Sequence, residues 1–311
     1  MARLVGRPED SAHSFGWAHV TVACLKVAGQ AQRLLPGMIA TSTVRLAGDV
    51  GWFALRGRRR TVERNLVRLA GDRSPRERAR LARSTFHNFV RCQADVLMLP
   101  GASATSVVGS IEASGLAHFR RIVRLGRGAI IVTAHLGNPE LGAAVLATLG
   151  VPTYAFVEAI HPARDALFAR FRTATGLRLI PSIPGAAAAA LDALREGGVV
   201  AIVGDRALGS TRRVSVPFGT GRRPMPTWPA WLALRSGAPL FTGHAVLSQR
   251  TSRPYRGIIE AEVSVNDLGK DPLAELTTRI ATRLSAAVER HPDQWFVFRP
   301  DWDGDPPASD R

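Results

Sequence analysis

Residues 129–134 form a short run of apolar, mostly β-branched positions directly after Gly128. Such a run reads as a buried strand. It is broken by His135, Leu136, Gly137, Asn138, Pro139 and Glu140, and apolar positions then resume as far as Leu149. Asn138 suits a helix N-cap and Pro139 the first helical position. Glu140 falls in the first turn, where the helix dipole favours a carboxylate. The same alternation recurs along the chain. Strands are expected over 111–114, 152–158, 177–180, 199–204, 238–246 and 255–265. Helices are expected over 115–125, 161–175, 185–196, 226–234 and 273–290, with Gly176 and Gly197 as stops. This order predicts an α/β fold with a mainly parallel central sheet flanked by helices. Residues 207–226, rich in Arg, Pro and Gly, read as a long loop.

Upstream of this core the pattern changes. Residues 1–16 are polar and read as a disordered N-terminus, and 17–100 as an N-terminal helical region. Within 17–56, Trp17, Trp52 and Phe53 are interleaved with Arg33, Arg45 and Arg56. That mix fits either helices lying in a lipid headgroup layer or a core helical hairpin. Two helices follow over 61–100. The first has apolar positions at Val62, Leu66, Val67 and Leu69 and stops near Gly71; the second opens with a capping box, Ser74-Pro75-Arg76-Glu77. Residues 101–300 are expected to form one α/β domain with the preceding helices, and 301–311 a polar tail. No internal repeat or break in composition divides the chain.

The 311 residues carry a net charge of +16, nearly all from arginine, since Lys26 and Lys270 are the only lysines. Such a surplus draws a chain toward anionic partners, and arginine suits bidentate phosphate binding. Few aromatics interleave with the arginines and no recognition motif is present, so no nucleic acid is expected as partner. Cys24 and Cys92 offer neither a zinc spacing nor a disulfide framework, and no metal is expected. No secretory leader is expected, and no strongly apolar, charge-free stretch reaches the ~18 residues of a spanning helix. Nucleophile-elbow, P-loop, dinucleotide and zincin motifs are all missing.

His135 at a strand end and Glu140 at a helix start are expected close together across a Gly turn. This is the carboxyl edge of the sheet, where α/β proteins bind ligands. A carboxylate beside an imidazole fixes the tautomer and leaves the other nitrogen free to take a proton from a hydroxyl. The spacing is similar to the signature of the glycerolipid acyltransferase superfamily. Further blocks follow in order: TAHLGNPELGA at 133–143, a strand bearing Glu158 with Gly176-Leu177 beyond it, and GDR at 204–206. VPFG at 216–219, SGAP at 236–239 and HPDQW at 291–295 complete the set, with DVLMLP at 95–100 upstream. Over residues 55–300 this resembles the lipid A late acyltransferases and the phosphatidylinositol mannoside acyltransferases. The stretch around Glu158, VEAIHPARDALFARFR, is nearer the mannoside branch. One departure is Asp205-Arg206-Ala207, where the family often carries a second acid at the third position.

The resemblance implies a glycerolipid acyltransferase-like fold with an N-terminal membrane-associating region. It implies a peripheral, monomeric O-acyltransferase on the cytoplasmic face of the bacterial plasma membrane, docked on anionic lipids. The enzyme would move a fatty acyl group from acyl-coenzyme A or acyl carrier protein to a hydroxyl of a glycolipid or lysophospholipid, without a cofactor. His135 would be the general base and Glu140 would hold its ring. Arg206 or backbone N–H groups at a helix N-terminus would stabilise the oxyanion, with Asp205 in support; Arg206 would alternatively form a salt bridge to Asp205. Glu158 would bind a sugar hydroxyl or pair with Arg172. Asn138, Arg212, Arg213, Arg222 and Arg223 are candidates for gripping donor or acceptor groups, the arginines alternatively forming a solvated loop. The other readings are a non-catalytic lipid-binding relative and a basic nucleic-acid-binding protein.

Overall fold

The structure is a computed structural model that describes residues 37–98, 102–158, 166, 169, 172–207, 212–248 and 253–305. Among the described residues there are nine strands: β1 (Ile111–Ser114), β2 (Ala129–Thr133), β3 (Thr153–Val157), β4 (Arg178–Pro181), β5 (Val199–Val203), β6 (Arg213–Phe218), β7 (Gly221–Pro226), β8 (Leu240–Leu247) and β9 (Tyr255–Ile259). Seven of them form one sheet in the order β1-β9-β8-β2-β5-β3-β4. All neighbours are parallel except β8 and β9. The mainly parallel sheet expected from the alternation is thus present. Its central strands β2 and β5 are paired residue for residue, Ala129 to Thr133 against Val199 to Val203.

The continuous apolar runs of β2 and β5 are explained by burial on both faces. Ile130, Val132, Val200 and Ile202 face a large core shared with α7 (Ala186–Arg195), α8 (Trp228–Ser236) and α9 (Pro272–Arg290). Ala129, Ile131 and Val199 face the other layer, with Phe119 and Val123 of α5 (Leu116–Val123) and Leu146 of α6 (Pro139–Ala147). The helices start where their caps predict. Asn138 Oδ1 accepts from Leu141 N at 2.9 Å and Asp271 Oδ1 from Ala274 N at 3.0 Å.

Upstream lie α1 (Gly37–Ala54), α2 (Arg56–Leu69), α3 (Pro75–Met98) and the short α4 (Ala104–Gly109). The expected capping box opens α3: Glu77 Oε2 accepts from Ser74 N at 2.9 Å and from Ser74 Oγ at 2.7 Å. None of the described helices is long and apolar enough to cross a membrane. The expected disordered residues 1–16, and 17–36 of the expected helical region, lie outside the described residues, as do 161–165, 167, 168, 170 and 171 of the expected helix at 161–175.

Three expectations need correction. Residues 213–226 are not a loop but an antiparallel hairpin, β6 with β7, registered from Arg213 opposite Pro226 to Phe218 opposite Gly221. Its prolines, 217, 224 and 226, sit in a two-stranded ribbon, where unpaired outer edges tolerate a missing N–H. Val216, Phe218 and Met225 bury against the main core and pull the hairpin onto it. Second, β9 ends at Ile259, well short of residue 265, and is flanked by both β1 and β8. Third, residues 301–305 are not a free polar tail. Trp302 is buried against Phe218 and Trp295 and donates to Asn65 Oδ1 of α2 at 2.7 Å.

His244, in the middle of β8, is 8% exposed, and its Nε2 is buried without a hydrogen-bond partner. Burial, aided by His291, Arg290 and Arg256, pushes this imidazole down to about 4. An unfolded histidine titrates near ~6.5. Between those values the unfolded chain takes up a proton that the folded chain refuses, so stability is full above pH ~6.5 and falls as pH drops towards 4. The expected loss from this group is on the order of 3 kcal/mol. Urea titrations at pH 7 and pH 4.5 measure it, and His244→Gln should remove part of the difference between them.

Candidate active site

Two parallel strands and one returning segment build the site. β2 and β5 are neighbours, with Thr133 opposite Val203, and Gly204 N donates to Thr133 O at 2.8 Å just beyond their ends. His135 and Asp205 follow two residues after each strand and therefore emerge side by side at the carboxyl edge. His135 Nδ1 lies 2.6 Å from Asp205 Oδ1. Gly204 is needed for this approach, because a Cβ there would lie 2.7 Å from Val132 Cγ1 and 3.2 Å from Pro229 Cγ.

Asp205 is fully buried and its second oxygen is also saturated. Oδ2 accepts from the His135 backbone N–H at 3.1 Å and from Trp295 Nε1 at 2.8 Å. Burial alone would push this carboxyl up. The His135 ring, the nearby Arg223 charge and the Trp295 donor outweigh it and hold Asp205 well below the usual carboxylate range. An ionised acceptor at Oδ1 keeps the imidazole proton on Nδ1. Nε2 then carries a free lone pair on a ring whose side chain is 29% exposed.

The turn after His135 is pinned from both sides. Gly137 has φ +64°, and a Cβ on it would come 2.1 Å from Ala245 O. Asn138 N donates to that same oxygen at 2.7 Å. The segment after α9 crosses the turn: Gly137 N donates to Gln294 O at 2.8 Å and Phe296 N to His135 O at 2.8 Å. Gln294 grips β8 through both ends of its amide, accepting from Leu247 N at 2.8 Å and donating to Leu247 O at 3.0 Å. The HPDQW block thus supplies an indole to Asp205 and a backbone clamp to the His135 turn. Sequence reasoning noticed the block but had no means of assigning it this role.

Several sequence expectations change here. The carboxylate that accepts from the ring is Asp205 and not Glu140. Glu140 is engaged by Arg172, whose Nε donates to Glu140 Oε2 at 2.9 Å and whose Nη2 reaches Oε1. In the first turn of α6 its carboxylate sits on the helix flank towards that guanidinium, while Asp205 arrives on the strand directly beside β2. Arg172 therefore pairs with Glu140 instead of Glu158. Arg206 meets Glu158, at 3.5 Å, instead of Asp205. Arg206 Nε is buried without a hydrogen-bond partner. Ala207, which departs from the acid often found at this position in the resembling family, is buried.

The proposed grip residues are scattered. Asn138 is buried as the α6 cap, and its Nδ2 is spent on Cys92 O and Tyr255 OH, both at 3.4 Å. Arg222 is tied to Ser215, and Arg212 and Arg213 are exposed. Arg223 lies in the core, 0% exposed, paired with Asp301. The β6–β7 register decides this, since it turns Arg223 inward and Arg222 outward. Among the described residues no three His, Cys, Asp or Glu side chains are grouped as a metal site.

Next to the site lies an apolar cavity with about 570 Å³ of empty space, counting its open mouth. Thr133 and Pro139, either side of the His135 turn, line one part of it, and Ile111, Leu116, Ile258 and Ile259 another. The cavity exists because the sheet face under α6 is built from small residues. Ala201, Gly243, Ala245, Gly257 and Ala113 stand on five different strand positions of that face. Across three strand steps from β2 to β1 the floor extends on the order of 14 Å.

A family model described as bacterial lipid A biosynthesis acyltransferase matches residues 23–303. A curated relative, phosphatidylinositol mannoside acyltransferase of Mycolicibacterium smegmatis, is 23% identical over 308 residues, covering 97% of this chain and 94% of that one. For an acyl transfer that relies on His135, Asp205→Asn should lower kcat by roughly 10²–10⁴ with KM little changed, because the amide no longer holds the required tautomer. Steady-state kinetics beside a thermal melt separate this effect from loss of fold.

Proposed function

The chain belongs to the bacterial lipid A biosynthesis acyltransferase family, and on that premise we propose that it is an O-acyltransferase acting from a membrane surface. It takes a fatty acyl group from a thioester, acyl-coenzyme A or acyl carrier protein, and gives it to a hydroxyl of a glycolipid. The name of the mycobacterial relative favours a phosphatidylinositol mannoside or similar phosphoglycolipid as acceptor.

The observation that carries this reading is the juxtaposition of the Asp205-held imidazole with the apolar cavity at its turn. In the proposed step His135 Nε2 takes the proton of the acceptor hydroxyl as its oxygen attacks the thioester carbonyl. Asp205 stabilises the imidazolium so formed. The carbonyl oxygen becomes negative and needs donors; Arg206, with its unpartnered Nε at the same edge, is our candidate. Collapse of the adduct expels the thiolate, which takes the proton from His135. The alkyl chain occupies the cavity, each buried methylene contributing about 0.8 kcal/mol. Glu140 with Arg172, and Arg206 with Glu158, rim the edge and suit polyol and phosphate groups of the acceptor.

Membrane docking is supported by α1 and α2. Leu46, Val50 and Phe53 are exposed at helical spacing on α1, and exposed Arg45, Arg56, Arg58 and Arg60 lie beside them. An apolar stripe edged by arginine suits the headgroup layer of an anionic cytoplasmic leaflet.

Purified protein given labelled palmitoyl-coenzyme A and a total lipid extract should yield an acylated glycolipid, and His135→Ala should yield none. Equal product from that variant sinks the mechanism. The cavity gives a second expectation. Gly142 of α6 lines it, and a Cβ there would meet Ala245 Cβ at 3.6 Å, so the backbone accepts a side chain. Gly142→Phe should cut kcat/KM for long-chain thioesters at least tenfold while sparing short ones. A uniform loss across chain lengths would place the alkyl chain elsewhere.

A further inference from the structure

Arg223 is a fully buried guanidinium with an unusual set of neighbours. Among the described residues its one ion pair is to Asp301, and its Nε and Nη1 are buried without a hydrogen-bond partner. Three aromatic rings enclose it instead: its Cζ lies 4.7 Å from the centre of the Trp295 ring, 5.2 Å from Phe218 and 5.6 Å from Trp302. Such a cage satisfies a cation through the ring faces, where hydrogen-bond acceptors are lacking. Trp295 is the link outward. While one face of its indole covers the guanidinium, its Nε1 donates to Asp205 Oδ2 at 2.8 Å. The order is therefore guanidinium, indole, carboxylate, imidazole, with Arg223, Trp295 and Asp205 all buried.

We propose that Arg223 is a positioning residue for the acyl transfer, whose charge, held behind Trp295, offsets that of Asp205 so that His135 remains an effective base near neutral pH. This rests on the reading of His135 as the base. The difficulty it resolves is electrostatic. A buried carboxylate 2.6 Å from an imidazole orients the ring but also favours its protonated form, which is useless for taking a proton. Asp301 deepens the negative field. With the imidazole neutral, Asp205, Asp301 and Arg223 together carry one net negative charge; without the guanidinium they would carry two.

Other charged groups near the pair are arranged in compensated sets. Arg206 is set against Glu158, and Glu140 against Arg172. Arg68 lies 5.0 Å from the Trp302 ring and is paired with Asp305 at 3.1 Å. On α9, Glu289 accepts from Ser285. Arg223 is the guanidinium whose burial leaves its field least screened by water. Burial pushes the Asp301 carboxyl up, and Arg223 opposes that push.

The test compares wild type, Arg223→Met, Arg223→Lys and Asp301→Asn, each checked by thermal melting. Two readouts are used: the acidic limb of the kcat/KM–pH profile, and proton uptake at His135 followed by NMR of ring-labelled histidine. Arg223→Met should move both to higher pH by about one unit, lowering kcat/KM at the acid end about tenfold. Arg223→Lys should leave both near wild type. Asp301→Asn should move both to lower pH. Opposite shifts from the two partners of one ion pair are not produced by loosened packing, which lowers activity alike at every pH. Unmoved curves in Arg223→Met, or shifts of one sign in both variants, overturn the proposal. If Arg223→Met does not fold, Asp301→Asn decides, and an unmoved curve there overturns it. Absence of acyl transfer by the wild type would remove the transferase reading, whereas the NMR shifts would still judge the role of Arg223.

Discussion

A fully buried carboxylate is tolerated in a protein only when its oxygens are met by donors or charge. Asp205 meets that condition with three donors from two parts of the chain: the His135 ring, the His135 backbone and the Trp295 indole. Removing any one would leave a desolvated anion short of a partner. The arrangement therefore constrains much more than one side chain. It requires β5 to lie beside β2 in a single register, the His135 turn to stay tight, and the segment after α9 to return across the sheet edge.

The same segment ties helices α2 and α3 to the α/β core. Val297 O accepts from Asn65 Nδ2 of α2 at 2.9 Å, and Asp293 accepts from Asn88 of α3 at 3.0 Å. Trp302 then closes back on Asn65. The N-terminal helices are thus packed against the segment that clamps the His135 turn. A surface patch on α1 and α2 and the imidazole are joined by a short series of packed, hydrogen-bonded contacts. On the proposed reading, in which the protein docks through this patch and His135 is the base, the packing holds the imidazole fixed relative to the lipid surface.

Charge and volume are handled differently on the two faces of the sheet. On the face of α7, α8 and α9 large side chains fill the space, and the aromatic cage absorbs a buried cation. On the face of α6, glycine and alanine leave a cavity that a well-packed core would not keep empty without cause. The hydrophobic stabilisation forgone there is available again when an alkyl chain enters. The proposed acyl transfer needs both provisions, and the division of the sheet into a filled and an unfilled face supplies them.

The order of strands and helices was legible in the sequence because periodicity and capping act over a few residues. The run at 129–134, the Asn138 cap and the Ser74–Glu77 box all appear as read. The acyltransferase family was legible because its blocks keep their order, and His135 was legible as the residue at the strand end. Partner choice was not. His135 and Glu140 are five apart, and local spacing made them look paired; the parallel register instead brings Asp205 from seventy residues away. Arg223 looked like a surface grip because arginine in a Pro- and Gly-rich stretch usually is one, whereas the β6–β7 register turned it into the core. Sequence by itself determined which elements form and what chemistry is on hand. Tertiary structure decided which carboxylate meets the imidazole, which arginine is buried and where space is left, since long-range packing sets those contacts and no local pattern encodes them.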